Sequence, residues 1–307
     1  MDASEKIRAL RSILGKEEIR KGDELVFFCP KHSHHKPKLS VNVKSDNMHC
    51  WFCDWKDRSI LPILEFQGTT AISRQYRSEL TDHRKVVVPE RVYDTPTLPD
   101  EFRSLTSDWS SPYYHSAMEY LAGRGVGSED IVRWKLGYCE DGPYKNRIIV
   151  PSFDEHGELN FFTGRAFYPS MRRKHMHGNF CKDIIFDEYL VDWSRSVVIT
   201  EGFFDLVKVD HNGIPLQGSI LNESSRLFSK IVKHDCDTYF AMDADAFKKQ
   251  LRIIQKFLMF GVRCYYIDLG QHADVAEMDR GEFVQARNGA MPIGSDLDLI
   301  RCRLKGV

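Results

Sequence analysis

The feature that most constrains the fold is a set of cysteine and histidine residues near the N-terminus. Cys29-x2-His32 is followed, after seventeen residues, by Cys50-x2-Cys53. Thiolates and an imidazole at this spacing favour a tetrahedral Zn²⁺ ion, with two ligands supplied by each pair. Because protein side chains fill all four positions, we expect a structural metal rather than a catalytic one.

The residues between the two pairs predict how the pairs meet. Leu39, Val41 and Val43 alternate as in a strand, and residues 45–47 have the composition of a hairpin turn. The segment therefore predicts a zinc ribbon, in which a small sheet joins two metal-binding turns. The histidines that could replace His32 as a ligand are His34, His35 and His49.

Composition and charge favour a soluble globular protein. The chain has 307 residues, enough for about two domains, and 42% of them are hydrophobic. Its 43 basic and 44 acidic side chains nearly cancel, so any phosphate-binding surface must be a local patch. No stretch has the length and apolarity of a signal peptide or a membrane span, which favours the cytoplasm. In that reducing compartment, packing is the expected role of the scattered cysteines Cys139, Cys181, Cys236, Cys264 and Cys302.

The C-terminal half alternates between buried-strand and helical patterns. Three apolar runs have the character of buried strands: SVVIT at 196–200, TYFAM at 238–242 and VRCYYIDL at 262–269. Segments with helical periodicity separate these runs. Strands that alternate with helices in this way predict an α/β domain with a parallel sheet.

The rest of the chain is less regular. A short amphipathic helix is expected over residues 4–20, and two strand-like runs at 146–153 and 158–167 predict a mainly β region. Residues 68–111 are polar, charged and interrupted by prolines, which predicts a linker with a short strand at 85–88.

Acidic residues follow the strands of the predicted parallel sheet. Glu201 follows the first run, Asp243 and Asp245 follow the second, and Asp274 lies beyond the third. The carboxyl ends of parallel strands meet at one edge, and adjacent carboxylates are tolerated there when Mg²⁺ or Mn²⁺ neutralises them. Alternation along the chain points Asp243 and Asp245 to the same side. A simpler interpretation of Asp245 alone is an N-cap for the following helix.

These stretches resemble a known family. VVITEGFFDLVKV, GIPLQGS, YFAMDADAF and DLGQHADVAEM are similar to the TOPRIM domain of DnaG-type primases, topoisomerases and some nucleases. The resemblance implies that Glu201, Asp243 and Asp245 bind catalytic divalent metal or act on protons, with Asp274 as a fourth acid. Asp205 resembles a further recurring acid of the family. Many members carry two acids near the place of Asp274. The single acid in this sequence leaves undecided whether a second metal ion binds.

The preceding segments resemble the same primases. Residues 29–53 and the following WKDRSILPILEFQG are similar to the primase zinc-binding domain, which contacts the template single strand. Trp51, Phe52 and Trp55 suit either base stacking or the small core of such a domain. YLAGRGVGSEDIVRWKLGYCE resembles the start of the catalytic core, and NRIIVPSFDEHGELNFFTGRAF resembles its basic subdomain.

Basic residues of the middle segment are the expected contacts with phosphates. The basic subdomain carries Arg147 and Arg165. The stretch YPSMRRKHMHGNFCK that follows contains no acid, which suits triphosphates and a template backbone, although a solvated basic loop has the same composition. By resemblance, Lys174 and Lys182 contact the incoming nucleotide or the template.

The order of these motifs predicts a mixed architecture of α+β and α/β parts. The expected regions are a zinc-binding ribbon (1–67), a linker (68–111), a mixed basic subdomain of the primase core (112–190), a TOPRIM α/β parallel-sheet subdomain (191–278) and a C-terminal tail (279–307).

The resemblance implies a DNA primase, a nucleotidyltransferase that joins ribonucleoside triphosphates into short RNA primers on single-stranded DNA. It implies structural Zn²⁺ and catalytic Mg²⁺ or Mn²⁺. The alternatives are a TOPRIM nuclease that uses the same acids and a non-catalytic zinc and TOPRIM module that binds single-stranded DNA. The short chain favours a phage or mobile-element primase, which would act in the host cytoplasm, and the short tail favours a separate replicative helicase as partner. No membrane partner is expected.

Overall fold

The computed structural model describes residues 1–68, 70–80, 93–107, 110–210, 212–218, 221–243, 246–295, 297–298 and 301, with only the backbone of 247–249. The described chain divides into two compact units. The described part of the first unit consists of residues 1–68 and 70–80 with two later segments, Ser229–Asp235 and Ile254–Arg263, and the second unit contains the rest. Within the described chain, no helix combines the length and the apolar character needed to cross a bilayer.

The first unit is built on an antiparallel sheet of five strands in the order β1-β2-β3-β4-β5. These strands are β1 (Ile19–Lys21), β2 (Glu24–Phe27), β3 (Leu39–Asn42), β4 (Met48–Cys50) and β5 (Lys56–Asp57). Helices α1 (Ala3–Leu14), α2 (Leu61–Leu64) and α3 (Ala71–Leu80) accompany the sheet. The alternation of Leu39 and Val41 places both side chains in one core with Leu10 and Leu25, where all four are fully buried. The hairpin turn predicted at residues 45–47 is confirmed between β3 and β4.

Two lysines before β3 contact the later segments of the same unit. Lys38 is fully buried, and its ammonium lies 3.4 Å from Asp235 Oδ1 and 3.2 Å from the carbonyl oxygen of Phe260. The Lys36 ammonium donates to Asp235 Oδ2 at 2.6 Å and to the carbonyl oxygen of Gly261 at 2.8 Å. Gly261 has φ +70, a conformation that favours glycine at the end of a helix. The lysines therefore pair with one carboxylate and with carbonyl groups at a helix C-terminus, where cations are stabilised.

The second unit contains an antiparallel sheet in the order β10-β9-β8-β7-β6. Its strands are β6 (Phe102–Ser104), β7 (Gly137–Cys139), β8 (Arg147–Phe153), β9 (Leu159–Ala166) and β10 (His175–Met176). The continuous apolar sequence of β8 matches its central position, since six of its seven residues are buried. Helices α4 (Pro112–Gly123) and α5 (Ser128–Arg133) contribute Leu121 and Ile131 to the core that covers this sheet.

The other sheet of the second unit is mostly parallel, in the order β12-β11-β13-β14-β15. Its strands are β11 (Val197–Thr200), β12 (Gly213–Pro215), β13 (Thr238–Ala241), β14 (Cys264–Tyr266) and β15 (Met291–Ile293). The helices along this part of the chain are α6 (Phe203–Leu206), α7 (Arg226–His234), α8 (Phe247–Met259) and α9 (Arg280–Asn288). Strands β12, β11, β13 and β14 are parallel neighbours, and β15 is antiparallel to β14. The predicted combination of a mixed α+β part and an α/β parallel sheet is thereby confirmed.

Several local expectations differ from the structure. The first helix ends at Leu14, because Gly15 adopts φ +83 and its N–H bonds back to Arg11. The expected linker contains helix α3 and strand β6, and its predicted strand at 85–88 lies outside the described residues. Residues 279–307, expected as a tail, supply α9 and the edge strand β15, where Pro292 is tolerated because an edge strand leaves one side unpaired. The regional boundaries themselves stay predictions.

Candidate functional site

The cysteine and histidine residues of the first unit form one group. The ligand atoms of Cys29, His32, Cys50 and Cys53 all lie within 4.8 Å of one another. Cys29 Sγ and Cys53 Sγ are 3.9 Å apart, close to the separation of about 3.8 Å that two thiolates have on a tetrahedral zinc ion. His32 Nε2 lies 3.1 Å from Cys50 Sγ. The donor set and its spacing fit Zn²⁺, with no position left for a substrate.

The other histidines of this segment have different contacts. His34 Nδ1 lies 3.1 Å from the carbonyl oxygen of Lys36. His35 Nε2 contacts Asp235 at 3.1 Å, and His49 Nε2 contacts Asp54 at 2.9 Å. The structure therefore brings His32 into the group and leaves His34, His35 and His49 outside it. The fold of the two turns thus places His32 beside the cysteines, and His32 as the fourth ligand stays a prediction.

The three aromatic residues near the group differ in exposure. Trp51 is buried, and its Nε1 donates to Ser40 Oγ at 3.2 Å. Phe52 is 37% exposed, and Lys31 Nζ lies 4.1 Å above the ring of the half-buried Trp55. Trp51 is therefore a core residue, and Phe52 offers more surface to a ligand.

A cleft of about 480 Å³ in the second unit gathers the predicted acids. Glu201 directly follows β11, Asp243 follows β13 after one residue, and Asp274 lies beyond β14. All three line this cleft, as expected for the carboxyl edge of a parallel sheet. Asp245 lies outside the described residues, so its place beside them stays a prediction.

Asp205 connects two of the loops that carry these acids. Its Oδ2 accepts from the Gly202 N–H at 2.8 Å, and its Oδ1 accepts from the Ala276 N–H at 3.1 Å. Burial, together with the negative charges of Asp274 and Glu201, raises the pKa of Asp205 to about 6. The carboxyl of Asp205 thus holds the loop after β11 against the loop that begins at Asp274, which supports the cleft from behind.

The fit of the acids to a divalent cation rests on the donor chemistry. Glu201 Oε2 is buried and accepts no hydrogen bond from the described residues. Asp274 uses one oxygen to accept from the Glu277 N–H at 3.0 Å. Carboxylate oxygens converging on one cleft suit Mg²⁺ or Mn²⁺. Among the described residues, however, only the cysteine and histidine group has three or more side chains already placed to hold an ion.

The cleft also has a basic set of lining side chains, called the basic wall below. Arg165 and Lys182, both predicted as phosphate contacts, line it together with Arg124, His175 and His177. Neither Arg124 nor Arg165 forms an ion pair with a carboxylate of the described residues. Guanidinium groups that share a cleft with carboxylates but do not pair with them suit an anionic ligand, such as a phosphate chain.

The other two predicted basic contacts do not line this cleft. Arg147 is only 4% exposed, and its Nη1 donates to the carbonyl oxygen of Lys174 at 3.4 Å. Burial lowers the pKa of Arg147. The Lys174 side chain is exposed, and its carbonyl oxygen also accepts from the Ala166 N–H at 2.9 Å. The roles predicted for Arg147 and Lys174 stay predictions.

Sequence reasoning missed three of the basic lining residues, Arg124, His175 and His177. Arg124 could have been found, because it is the arginine of the YLAGRG stretch that resembles the start of the primase core. His175 and His177 gave no separate signal within the basic run. Their place in the cleft follows from the pairing of β10 with β9, which sets His175 opposite Arg165.

Comparison with known proteins gives relatives of one kind. No protein-family model matches the chain. The DNA primase of Legionella pneumophila is 20% identical over 280 residues, which cover 75% of this chain and 48% of that protein. The DNA primase of Geobacillus stearothermophilus is 21% identical over 279 residues, which cover 71% of this chain and 46% of that protein. The chain spans about half the length of the curated relatives it matches.

Among solved structures, the chain is similar to the Aquifex aeolicus primase, a structure of its zinc-binding and RNA polymerase domains. The TM-score is 0.48 at 15% identity, with 95% of this chain and 87% of that chain covered. The chain is therefore similar to curated DNA primases, which confirms the predicted resemblance to primases.

Proposed function

We propose that this chain is a DNA primase, which synthesises short RNA primers on single-stranded DNA by metal-dependent nucleotidyl transfer. The observation that carries the proposal is the cleft of the second unit. Acids that follow β11, β13 and β14 line this cleft together with Arg165 and Lys182. The similarity to curated DNA primases supports the same function. In the proposal, residues 191–278 form the TOPRIM subdomain and residues 112–190 the basic subdomain.

The acidic wall is the proposed site of the divalent metal. Glu201, Asp243 and Asp245 would hold Mg²⁺ or Mn²⁺, and the buried Oε2 of Glu201 would gain the partner that it lacks among the described residues. Asp274 lines the same cleft as a further acid. A metal bound there would activate the primer 3′-hydroxyl and offset the charge that develops on the phosphates.

The basic wall has a different task. Arg165 and Lys182 would orient and neutralise the triphosphate of the incoming ribonucleotide, and Arg124 would add a third positive charge. The contacts of Lys174, which directly precedes β10, and of Arg147 on β8 with the template or the nucleotide stay predictions. Template binding through such basic residues depends on salt, because each phosphate contact releases counterions.

The zinc group has a structural role in this proposal. Cys29, His32, Cys50 and Cys53 would hold Zn²⁺ and keep the sheet of the first unit folded. The ribbon would contact the template, with Phe52 as its exposed aromatic surface. A phage or mobile-element source and a separate replicative helicase stay predictions, as does action in the cytoplasm.

The deciding experiment incubates the protein with single-stranded template, Mg²⁺ and labelled ribonucleotides, and then sizes the products. We expect short RNA whose synthesis stops when the template, the ribonucleotides or the metal is omitted. Degradation of labelled DNA without ribonucleotides would instead show a nuclease. Binding of the template without any synthesis would show a non-catalytic module, and either result would overturn the proposal.

A further inference from the structure

Arg165 is held from two sides. Its Nε donates to the Tyr120 hydroxyl at 2.9 Å, and its Nη1 donates to His175 Nε2. Tyr120 belongs to helix α4, whereas His175 lies on β10 as the cross-strand partner of Arg165 on β9. The guanidinium also lies over the ring of Phe204, 5.8 Å from its centroid. Three separate elements of the second unit thus fix the plane of one cation.

The hydrogen bond to His175 defines the state of the imidazole. Arginine can only donate, so His175 Nε2 must accept, and the ring proton lies on Nδ1. Partial desolvation and the positive charges of Arg165, Arg147, Arg124 and Lys174 lower the pKa of His175 to about 4, although its side chain remains exposed at the surface. The accepting, neutral ring is therefore the populated form at neutral pH.

The rest of the guanidinium is available to a ligand. Of its five N–H groups, Nε and one on Nη1 are used by Tyr120 and His175. No carboxylate of the described residues pairs with Arg165. Because Arg165 lines the cleft that also contains Glu201 and Asp243, its remaining donors belong to the surface that meets an anion.

We propose that Tyr120 and His175 are positioning residues, which orient Arg165 so that its remaining N–H groups meet the phosphates of the incoming ribonucleotide. The inference rests on the proposed function. An exposed arginine must lose rotamer freedom when it binds a phosphate, and ordering it in advance removes that cost from binding. The Tyr120 hydroxyl and the His175 imidazole both bond to Arg165, and the inferred contribution of these two groups acts through Arg165. The ring of Tyr120 also lies 5.6 Å from the Arg124 guanidinium, and Tyr120→Phe leaves that ring contact in place.

The test is a mutant cycle on primer synthesis. We expect Tyr120→Phe and His175→Ala each to raise the ribonucleotide KM about fivefold to tenfold, the scale of one typical hydrogen bond. The kcat and the affinity for single-stranded DNA should stay within about twofold. His175→Gln supplies an accepting oxygen and should restore most of the KM. In an Arg165→Ala background, Tyr120→Phe and His175→Ala should have no further effect on KM, since coupled residues are not additive.

Matched controls separate positioning from general damage. Tyr168→Phe removes a hydroxyl that donates to Ser116, and His156→Ala removes an exposed imidazole of a turn. Neither should change KM. The inference would be overturned if Tyr120→Phe and His175→Ala raised KM in the Arg165→Ala background as much as they do in the unmodified protein. It would also be overturned if His175→Gln stayed folded, as judged by its thermal midpoint, but did not recover KM.

A second readout does not depend on synthesis. Binding of inorganic tripolyphosphate, measured by titration calorimetry, should weaken by a similar factor in Tyr120→Phe and His175→Ala but not in Tyr168→Phe. If the unmodified protein makes no primers and yet shows this pattern, the proposed function fails and the positioning of Arg165 stands. If primers are made and tripolyphosphate binding is unchanged in both variants, the positioning inference fails alone.

Discussion

The cysteine and histidine group of the first unit and the acidic cleft of the second are both proposed sites for a cation, but they are built in opposite ways. The first is closed: three thiolates and one imidazole lie within 4.8 Å of one another and no position remains open. The second is open: its acids line a cleft of about 480 Å³ together with basic side chains. A closed set of soft ligands suits a metal that stabilises a fold, whereas an open set of hard ligands suits a metal that meets a substrate. The contrast predicts that loss of one site damages the fold and loss of the other damages only the reaction.

Removal of one zinc ligand should have the largest effect. We expect Cys50→Ala to lose bound zinc and to unfold the first unit, because structural zinc contributes about 10–16 kcal/mol of binding free energy to folding. Atomic emission spectrometry measures the zinc, and circular dichroism with limited proteolysis of residues 1–68 measures the fold. The matched control is Cys181→Ala, a half-buried cysteine outside the group, which should keep its zinc. A folded Cys50→Ala variant with full zinc content would show that the cysteine and histidine group is not a closed structural site.

Substitutions of the cleft acids should affect the reaction without unfolding the protein. Glu201→Gln and Asp243→Asn remove negative charge but little volume, and we expect primer synthesis to fall about 10³-fold or more. The thermal midpoint and the affinity for single-stranded DNA should change little. Asp268→Asn is the matched control, because Asp268 also follows β14 but is exposed and does not line the cleft. Wild-type rates in Glu201→Gln would remove the acids from the mechanism.

The two sites also differ in how far the sequence predicted them. The ligand group was predictable because its ligands lie in two short local motifs, Cys29-x2-His32 and Cys50-x2-Cys53. Among its histidines, only the fold could choose, since His34, His35 and His49 differ from His32 in their tertiary contacts.

In the cleft, the acids were predictable and part of the basic wall was not. Glu201, Asp243 and Asp274 follow parallel strands and lie at one edge of the sheet. The apolar runs that precede these acids predict the strands. Whether a basic residue of β8 or β9 faces the cleft depends on strand register and burial. That is why Arg165 lines it and the buried Arg147 does not. The participation of Tyr120 and His175 depends on contacts across 45 and 10 residues, which no local pattern encodes.

Asp187 is a buried carboxyl of the second unit with no proposed metal role, so it tests whether burial alone shifts the pKa of a carboxyl. Asp187 is 2% exposed, its Oδ1 accepts from the Phe153 N–H at 2.9 Å, and burial raises its pKa to about 7. The folded state therefore binds more protons than the unfolded state between about pH 4 and pH 7, so stability falls as pH rises through that window.

Asp187→Asn should remove this pH dependence. Relative to the unmodified protein, we expect its free energy of unfolding to gain roughly 3 kcal/mol between pH 5 and pH 8, measured by urea denaturation. The control is Asp154→Asn at an exposed turn, where hydrogen bonds from the Glu158 and His156 N–H groups lower the pKa. That variant should show no such gain over the same range. An Asp187→Asn curve parallel to that of the unmodified protein would show that burial alone does not shift a carboxyl in this unit.

The smallest expected effect is on the part of the first unit's free energy of unfolding that does not depend on zinc. Lys38→Met keeps most of the buried side chain but removes the contacts with Asp235 and the Phe260 carbonyl. We expect a loss of about 1–2 kcal/mol in the free energy of unfolding, because Lys36 still pairs with Asp235 and the cost of burying an ammonium disappears. Lys44→Met, an exposed lysine of the β3–β4 turn, should change it by no more than about 0.5 kcal/mol. Both variants should keep their zinc. If Lys38→Met lost its zinc, the closed site would depend on contacts with Ser229–Asp235 and Ile254–Arg263, and the first unit could not be treated as a fold held by its metal alone.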